Sequence, residues 1–179
     1  MSNKKIVFVG PTGVGKSSTI RLLSEKRVVG TEEKASDFTR DIKPTTTVAM
    51  DYGVMTLASG KRVHLYGTPG QERFDFMWEI LATGCDGVVI LLDNSRASPL
   101  QDLRFYAGHF QEYAANNKLV VGITKSDIEQ TQSLGEYHRE LEDLGIKPAV
   151  HMVDARCHGC VRQLVEALAL YEPELSVVA

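Results

Sequence analysis

Short apolar runs alternate along the chain with longer stretches in which apolar residues recur every three or four positions. The short runs predict buried strands at residues 6–9, 86–92, 118–123 and 148–153. The longer stretches predict amphipathic helices at residues 16–26, 99–116, 134–144 and 159–171. This alternation is typical of an α/β protein with a mostly parallel sheet.

One part of the pattern indicates a hairpin instead of a parallel crossover. Residues 47–58 alternate in part, Ser59 and Gly60 are a turn signal, and residues 62–66 form the second strand. Residues 28–45 before them are polar and irregular. We therefore predict a six-stranded, mostly parallel sheet with one antiparallel strand and helices on both faces. Ligands of such sheets bind beyond the carboxyl ends of the strands.

The composition fits one domain over residues 1–179, with a short C-terminal tail from about residue 172. A formal net charge of −3 gives no general reason to expect nucleic acid or an anionic membrane as partner. No apolar run approaches the ~20 residues that span a bilayer. Ser2 stands where N-myristoylation needs glycine, and the last residues hold no prenylatable cysteine. These features predict a cytoplasmic protein without a signal peptide or lipid anchor.

The three cysteines, Cys85, Cys157 and Cys160, are a sparse and odd-numbered set. In a chain without export signals, such a set predicts free thiols in a reducing compartment. The Cys-His-Gly-Cys run at residues 157–160 resembles half of a zinc site. No convincing fourth ligand accompanies it, so the start of a helix is the favoured interpretation.

The first chemical motif, Gly10-x-x-x-x-Gly15-Lys16-Ser17, lies between the first predicted strand and the first predicted helix. Its glycines let successive backbone N–H groups turn inward around phosphate oxygens, at a helix N-terminus that favours anions. Lys16 would reach the β- and γ-phosphates, and the Ser17 hydroxyl would bind Mg²⁺. Further predicted contacts of this phosphate loop are Thr12, Gly13, Val14 and Ser18. A glycine-rich turn with a chance Lys-Ser is the weaker alternative.

The motif Gly67-Thr-Pro-Gly70-Gln71 follows the second strand of the hairpin, and here the chain resembles the Ras-like GTPases. Their switch II segment reads Asp-x-x-Gly-Gln. The resemblance implies a P-loop NTPase fold of the Ras-like kind, in which the Gly70 N–H senses the γ-phosphate and Gln71 orients the attacking water. Together with Lys16, these are the predicted catalytic residues.

Two later motifs resemble the guanine-recognition segments of the same family. Thr124-Lys125-Ser-Asp127 is similar to Asn-Lys-x-Asp, and the run Asp-Ala155-Arg156 stands where the family has Ser-Ala-Lys. The Asp127 carboxylate can accept hydrogen bonds from N1–H and the exocyclic amine of guanine, which adenine cannot reproduce. The resemblance implies that Lys125 lies along the base and that the Ala155 N–H contacts the guanine oxygen.

The segment before the hairpin, Lys-Pro-Thr-Thr-Thr47, is similar to switch I, where a threonine binds Mg²⁺ and closes over the γ-phosphate. Thr47 is the first choice for this ligand, because the spacing from Thr47 to Asp51 resembles a bacterial segment of the family. Thr46 is the second choice, and Thr45 stays open. β-Branched residues that begin a strand would also explain the run and are compatible with the functional role.

The chain departs from the Ras pattern at three positions. Gly67 replaces the switch II aspartate, Thr12 replaces a glycine beside the γ-phosphate, and Thr124 replaces an asparagine. The first change predicts a weaker Mg²⁺ site, and the second predicts a crowded transition state. The third removes an amide that ties the base-recognition loop to the phosphate loop. We therefore predict slow intrinsic hydrolysis and looser nucleotide binding than in Ras.

The run of residues 64–71 also resembles the bacterial gliding-motility polarity GTPases and related predicted bacterial GTPases, which lack the same aspartate. That resemblance implies a roadblock-type protein as a candidate effector or activator. A nearby apolar cluster is equally consistent with a docking surface and with core: Phe74, Phe76, Met77 and Trp78. Arg40 and Arg73 are candidate arginine fingers in cis, although solvated surface arginines are the favoured interpretation.

Three functions are consistent with these motifs. The leading hypothesis is a molecular switch that binds GTP or GDP with Mg²⁺, hydrolyses GTP slowly and is read by a partner protein. The second is a GTP-binding module with negligible hydrolysis. The third, a P-loop kinase of a small metabolite, accounts for the phosphate loop but not for the two later motifs.

Overall fold

The computed structural model describes residues 3–25, 29–30, 50–71, 75–128 and 131–170. Its strands are β1 (Lys4–Val9), β2 (Val29–Gly30), β3 (Asp51–Thr56), β4 (Arg62–Gly67), β5 (Gly87–Asp93), β6 (Leu119–Thr124) and β7 (Ala149–Met152). Its helices are α1 (Lys16–Leu23), α2 (Asp75–Ala82), α3 (Pro99–His109), α4 (Gln111–Ala115), α5 (Leu134–Asp143) and α6 (His158–Ala169). Within those described ranges, no helix has the length and apolar character needed to cross a membrane.

The strands form one sheet in the order β2-β3-β4-β1-β5-β6-β7. β3 runs antiparallel to both of its neighbours, and the other pairings are parallel. The predicted mostly parallel sheet with one antiparallel strand is confirmed. The structure adds β2, a two-residue edge strand in a segment whose composition predicts irregular structure. Two residues are too few to show a strand period in a sequence.

Helices cover both faces of the sheet, because successive residues of each strand point to opposite sides. One apolar cluster joins Val7 and Val9 of β1 to helices α2, α3 and α5. The other joins Ile6 and Phe8 of β1 to helices α1 and α6. All seven residues of the central strand β5 are buried. This layering brings the carboxyl ends of the parallel strands, and the loops that follow them, to one edge of the sheet.

The helix predicted at residues 99–116 is divided at Phe110 into α3 and α4. The Phe110 backbone leaves the helical region, with φ −116° and ψ 26°. Its N–H donates at 3.2 Å to the carbonyl of Ala107, three residues earlier. This is the 3₁₀-type hydrogen bond that is frequent at helix ends. The break lets the Phe110 ring enter the core, where it is buried. The hydrophobic period continues through this point, so periodicity alone does not reveal the break.

Cys157 and Cys160 form a disulfide, so the prediction of three free thiols is wrong for this pair. Cys157 is the N-cap of α6, and its sulfur accepts from the Cys160 N–H at 3.3 Å. One helical turn places the two Cα atoms 5.3 Å apart, within the range of a disulfide. Cys85 is a free, buried thiol, and burial raises its pKa. The predicted helix start at this motif is confirmed, and the described residues contain no three-membered cluster of acidic, His or Cys side chains suited to a metal ion.

Candidate functional site

The loop between β1 and α1 depends on glycines in backbone conformations that other residues adopt with strain. Gly10 has φ of 141°, and a Cβ added there would lie 2.1 Å from the Leu91 carbonyl oxygen of β5. Gly15 has φ of 111° and is the N-cap of α1, where no side chain caps the helix. The loop therefore lies directly on β5 and leaves backbone N–H groups of α1 available to an anion.

The Lys16 side chain is buried and folded back onto this loop. Its Nζ donates to the carbonyl oxygens of Gly10 at 2.7 Å and Pro11 at 2.8 Å. Burial lowers the pKa of Lys16 to about 8, although the nearby Asp51 carboxylate opposes the shift. At neutral pH the ammonium is thus still charged, and an anion bound in the loop would compensate the cost of its desolvation.

Ser17, the predicted Mg²⁺ ligand, contacts Asp51, which the sequence analysis used only to choose among the switch I threonines and to which it gave no role at the site. Its hydroxyl donates to Asp51 Oδ2, and Asp51 is the first residue of β3. The pairing of β3 with β4 places Asp51 directly opposite Gly67, where Ras-like proteins carry the switch II aspartate. Only the register of the hairpin brings Asp51 to this place, so the register was the one signal that could have identified it.

The segment after β4 lies against the phosphate loop. A Cβ added at Gly70 would lie 2.5 Å from the Thr12 backbone nitrogen, so a side chain at position 70 would collide with the loop. The buried Trp78 of α2 anchors the segment, because its indole Nε1 donates to the Pro69 carbonyl at 3.0 Å. The structure thus brings Gly70, with the exposed Gln71 beside it, to the edge of the loop predicted to hold the γ-phosphate.

The base-recognition loop, residues 124–127, is tied to the phosphate loop by Thr124. The Thr124 hydroxyl lies 3.1 Å from the Val14 carbonyl oxygen and 3.0 Å from that of Leu92, with its one proton to donate. The asparagine amide is absent as predicted, but the Thr124 hydroxyl lies within hydrogen-bond distance of the phosphate loop, which the sequence did not predict.

Lys125 is positioned by a carboxylate of β5. Its Nζ lies 2.6 Å from Asp93 Oδ2, and its backbone is left-handed with φ of 58°. Burial raises the pKa of Asp93, but hydrogen bonds from Lys125 and Ser95 outweigh it and leave that pKa below its usual value. This ion pair orients the Lys125 stem at the mouth of the site. Asp93 was not predicted, because it closes an ordinary buried strand.

After Asp51 and Asp93, Asn94 is a third residue near the site to which the sequence analysis gave no role. Its side chain is fully buried, donates to the Gln132 carbonyl at 3.0 Å and accepts from the Tyr137 hydroxyl at 2.7 Å. The Asn94 Nδ2 also lies 3.4 Å from Ser126 Oγ in the base-recognition loop. Asn94 therefore connects β5 to α5 and to the loop between β6 and α5, which holds Asp127.

Replacing Asn94 by alanine is expected to lower the free energy of unfolding by about 2–3 kcal/mol, because buried partners lose their hydrogen bonds. Chemical denaturation followed by circular dichroism measures this change. Asn116→Ala is the matched control, since the Asn116 side chain is exposed and should shift the free energy by about 1 kcal/mol or less. Equal losses for the two variants would contradict the structural role of Asn94.

Arg156 bridges the two carboxylates at the far side of the site. Its Nη2 lies 2.9 Å from Asp127 Oδ2 and 3.0 Å from Asp154 Oδ2, and these hydrogen bonds raise the pKa of Arg156. Both partners of the Arg156–Asp127 pair are more than half exposed, so the pair is weak. A base that offers two N–H donors to Asp127 can therefore displace the guanidinium.

These loops surround a cavity of about 220 Å³. The cavity is lined by predicted nucleotide-binding residues from three segments: Gly13, Val14, Gly15, Ser18, Thr124, Lys125, Asp127, Ala155 and Arg156. Two residues that were not predicted, Ile128 and Asp154, complete the lining. Gly15 and the loop after β7 are in close contact, because a Cβ added at Gly15 would lie 2.9 Å from Ala155 Cβ. The structure therefore gathers segments more than 100 residues apart in sequence into one site.

Several predicted residues lie outside the described part of the chain. They are the switch I candidates Thr45, Thr46 and Thr47, the arginines Arg40 and Arg73, and Phe74.

The rest of the apolar cluster divides between two environments. Trp78 is buried in the core, whereas Phe76 is 50% exposed on the same helix. The cluster is therefore partly core and partly surface.

Comparison with known proteins places these features in a family. A family model described as "conserved hypothetical ATP binding protein" matches residues 8–179. The GTP-binding protein ypt2 of Schizosaccharomyces pombe is 30% identical over 150 residues, which are 80% of this chain and 68% of that protein. The Ras-related protein Rab-18-B of Danio rerio is 27% identical over 133 residues, which are 73% of this chain and 59% of that protein.

An uncharacterized protein of Methanocaldococcus jannaschii is 34% identical over 98 residues, 55% of this chain and 56% of that protein. The chain thus spans 56% to 68% of the length of these three relatives. Among solved structures, the G domain of the T. maritima FeoB iron transporter matches with a TM-score of 0.67 at 20% identity. That match covers 95% of this chain and 99% of the G domain, and it shows the fold. The finer resemblance to gliding-motility GTPases stays a prediction from the motifs.

Proposed function

Because the chain belongs to the family described as conserved hypothetical ATP-binding proteins and is a relative of the Ras-like small GTPases, we propose that it is a GTP-dependent molecular switch. It binds GTP or GDP with Mg²⁺ and hydrolyses GTP slowly. The observation that carries this proposal is the single cavity in which Asp127 meets the phosphate loop. The phosphate loop alone is compatible with any nucleoside triphosphate, and Asp127 supplies the choice of base.

The proposal favours guanine although the family description names ATP. The Asp127 carboxylate lines the cavity and can accept hydrogen bonds from two donors. Guanine offers N1–H and an exocyclic amine on one edge, whereas adenine has an unprotonated N1. An adenine at this position would leave the carboxylate unpaired, which is strongly unfavourable once water is excluded. The relative ypt2 is a GTP-binding protein, which agrees with this choice.

The donor set at the phosphate loop fits Mg²⁺, which prefers oxygen ligands. The Ser17 hydroxyl would bind the ion directly, and a switch I threonine, Thr47 or Thr46, is the proposed second protein ligand. When bound, Mg²⁺ neutralises charge on the β- and γ-phosphates. Lys16 contributes a further positive charge on the same phosphates, because a bound nucleotide can replace the loop carbonyls that now accept from its Nζ.

Hydrolysis depends on residues at the junction of the two loops. In the proposed mechanism, the Gly70 N–H binds the γ-phosphate and the Gln71 amide orients the attacking water. The Thr12 backbone lies where Gly70 approaches the phosphate loop, and we infer that its exposed side chain crowds the region in which the transition state forms. This crowding is the physical reason for the proposed slow rate.

The exposed apolar residues of α2 are the proposed surface for an effector or activator protein. Phe76 and Ile80 are 50% and 66% exposed, and they lie on the helix whose Trp78 holds the Pro69 carbonyl. A change at Gly70 on γ-phosphate loss would therefore be passed to α2 through this contact. A roadblock-type protein is the candidate partner, from the resemblance of the motifs alone.

We expect the purified protein to convert bound GTP to GDP and phosphate in a single turnover, at about 5 × 10⁻⁴ s⁻¹ or slower. Gln71→Leu should lower this rate by ~10²-fold and leave GTP affinity nearly unchanged, because the amide acts on the water and not on the nucleotide. The rate is measured by stopping the reaction with acid at timed intervals and separating GTP from GDP by chromatography. Gln111→Leu is the matched control, on an exposed residue of α4.

Two results would favour the other functions. Absence of turnover in the wild type, with GTP still bound, would indicate a GTP-binding module without hydrolysis. ATP competing as well as GTP, with phosphate transferred to a small metabolite, would indicate a P-loop kinase.

A further inference from the structure

We propose that Asp51 supplies the carboxylate that a Ras-like Mg²⁺ site takes from the position of Gly67. Asp51 is thereby a positioning residue that orients Ser17 and the water shell of the ion. This inference rests on the proposed function, since it concerns the same nucleotide site. The sequence motif at the end of β4 provides no carboxylate for this role, and the inference assigns the role to a residue of β3.

The first observation is the contact between Ser17 and Asp51. The Ser17 hydroxyl donates to Asp51 Oδ2, so the carboxylate lies at the residue predicted to bind the ion. A serine that donates its proton to a carboxylate keeps its oxygen lone pairs available for a cation. Asp51 therefore holds Ser17 in the orientation in which its oxygen can act as a ligand.

The second observation is the geometry of the hairpin at Gly67. Asp51 and Gly67 are cross-strand partners in the β3–β4 pairing. A Cβ added at Gly67 would lie 3.4 Å from Asp51 Oδ2 and 3.3 Å from Asp51 Cβ. The Asp51 carboxylate thus lies next to the space into which a side chain at position 67 would extend. The carboxylate absent from β4 is present on β3, one strand away.

The third argument is electrostatic. Nucleotide phosphates bound in the loop would stand close to the Asp51 carboxylate, because Ser17 belongs to the loop and contacts Asp51. The phosphates and the carboxylate are both anionic, so they repel each other at close range unless a cation lies between them. A divalent ion that accepts oxygen ligands from the phosphates and from Ser17 removes this repulsion. The carboxylate therefore favours nucleotide binding only when Mg²⁺ is present.

Release of a fluorescent GDP analogue from the full chain, with excess Mg²⁺ and separately with EDTA, tests this inference. We expect Mg²⁺ to slow release from the wild type, and Asp51→Asn to reduce that slowing by ~10–100-fold. The EDTA rate should stay the same or fall, since Asn keeps the shape and a hydrogen-bond acceptor but removes the charge that repels the phosphates. Asp143→Asn, at the end of α5 on the opposite edge of the sheet, is the matched control.

The exchange of the two positions makes the test specific. Asp51→Ala combined with Gly67→Asp returns a carboxylate to β4, and we expect it to recover at least a tenth of the lost Mg²⁺ effect. The new side chain at position 67 first meets Ile20 Cδ1, the flexible tip of a side chain, at 2.8 Å from its Cβ. Ile20 can rotate away, so the exchange is sterically feasible.

Two results would overturn the inference while the proposed function stands. They are an unchanged Mg²⁺ effect in Asp51→Asn, and an equal acceleration of release with and without Mg²⁺, which would indicate a purely structural contact. Failure of the wild type to bind the GDP analogue would contradict the proposed function itself and the inference with it.

Discussion

Replacing Lys16 by methionine is expected to weaken GTP and GDP binding by roughly 10²- to 10³-fold, which corresponds to about 3–4 kcal/mol. The Lys16 ammonium is a cation buried within the phosphate loop. Methionine keeps the approximate length of the side chain and its apolar stem, and removes the charge together with the hydrogen bonds to the Gly10 and Pro11 carbonyls. Isothermal titration calorimetry with each nucleotide measures the loss.

The same variant should behave differently without nucleotide. Burial disfavours the charged form of Lys16, so methionine should leave the unfolding temperature of the nucleotide-free protein unchanged or raise it. The rise in that temperature on adding GDP should disappear. Lys147→Met, on an exposed lysine, controls for loss of surface charge. Retention of wild-type affinity by Lys16→Met would contradict the assignment of this loop to phosphate binding.

Replacing Asp127 by asparagine is expected to lower affinity for guanine nucleotides by about 10²–10³-fold. Asparagine offers one acceptor and one donor group, whereas the guanine edge needs two acceptors. Xanthine carries an oxygen where guanine has the exocyclic amine, so its edge matches asparagine. Xanthosine diphosphate should therefore bind Asp127→Asn better than it binds the wild type.

Competition of GTP, ATP and xanthosine triphosphate against a fluorescent guanine nucleotide measures this selectivity. The matched control is Asp143→Asn, which makes the same chemical change on an exposed residue. If ATP displaces the probe from the wild type as well as GTP does, the assignment of guanine is refuted. ATP, which the description of the family names, would then be an equally good ligand. Asp127→Asn would then have no effect on selectivity.

The sequence predicted the loops of the site more completely than it predicted the contacts between them. Glycine spacing identified the phosphate loop, because the backbone at Gly10 and Gly15 has positive φ values that other residues adopt with strain. The positions of the later motifs followed from strands that end just before them. Nothing local indicated that the Thr124 hydroxyl reaches the Val14 carbonyl, since these residues meet only when β6 pairs with β5 and β5 pairs with β1.

Within the described residues, the sequence by itself predicted the mostly parallel sheet with its hairpin, the helices α1, α3, α5 and α6, and the loops proposed to form the site, whereas β2 and α2 were not predicted. The predicted features depend on periodicity and on residues with unusual backbone freedom, both of which are local properties of a chain. Tertiary structure alone decided the places of Asp51, Asp93 and Asn94, the break at Phe110 and the Cys157–Cys160 disulfide. Each depends on strand register, core packing or side-chain approach, which no single segment specifies.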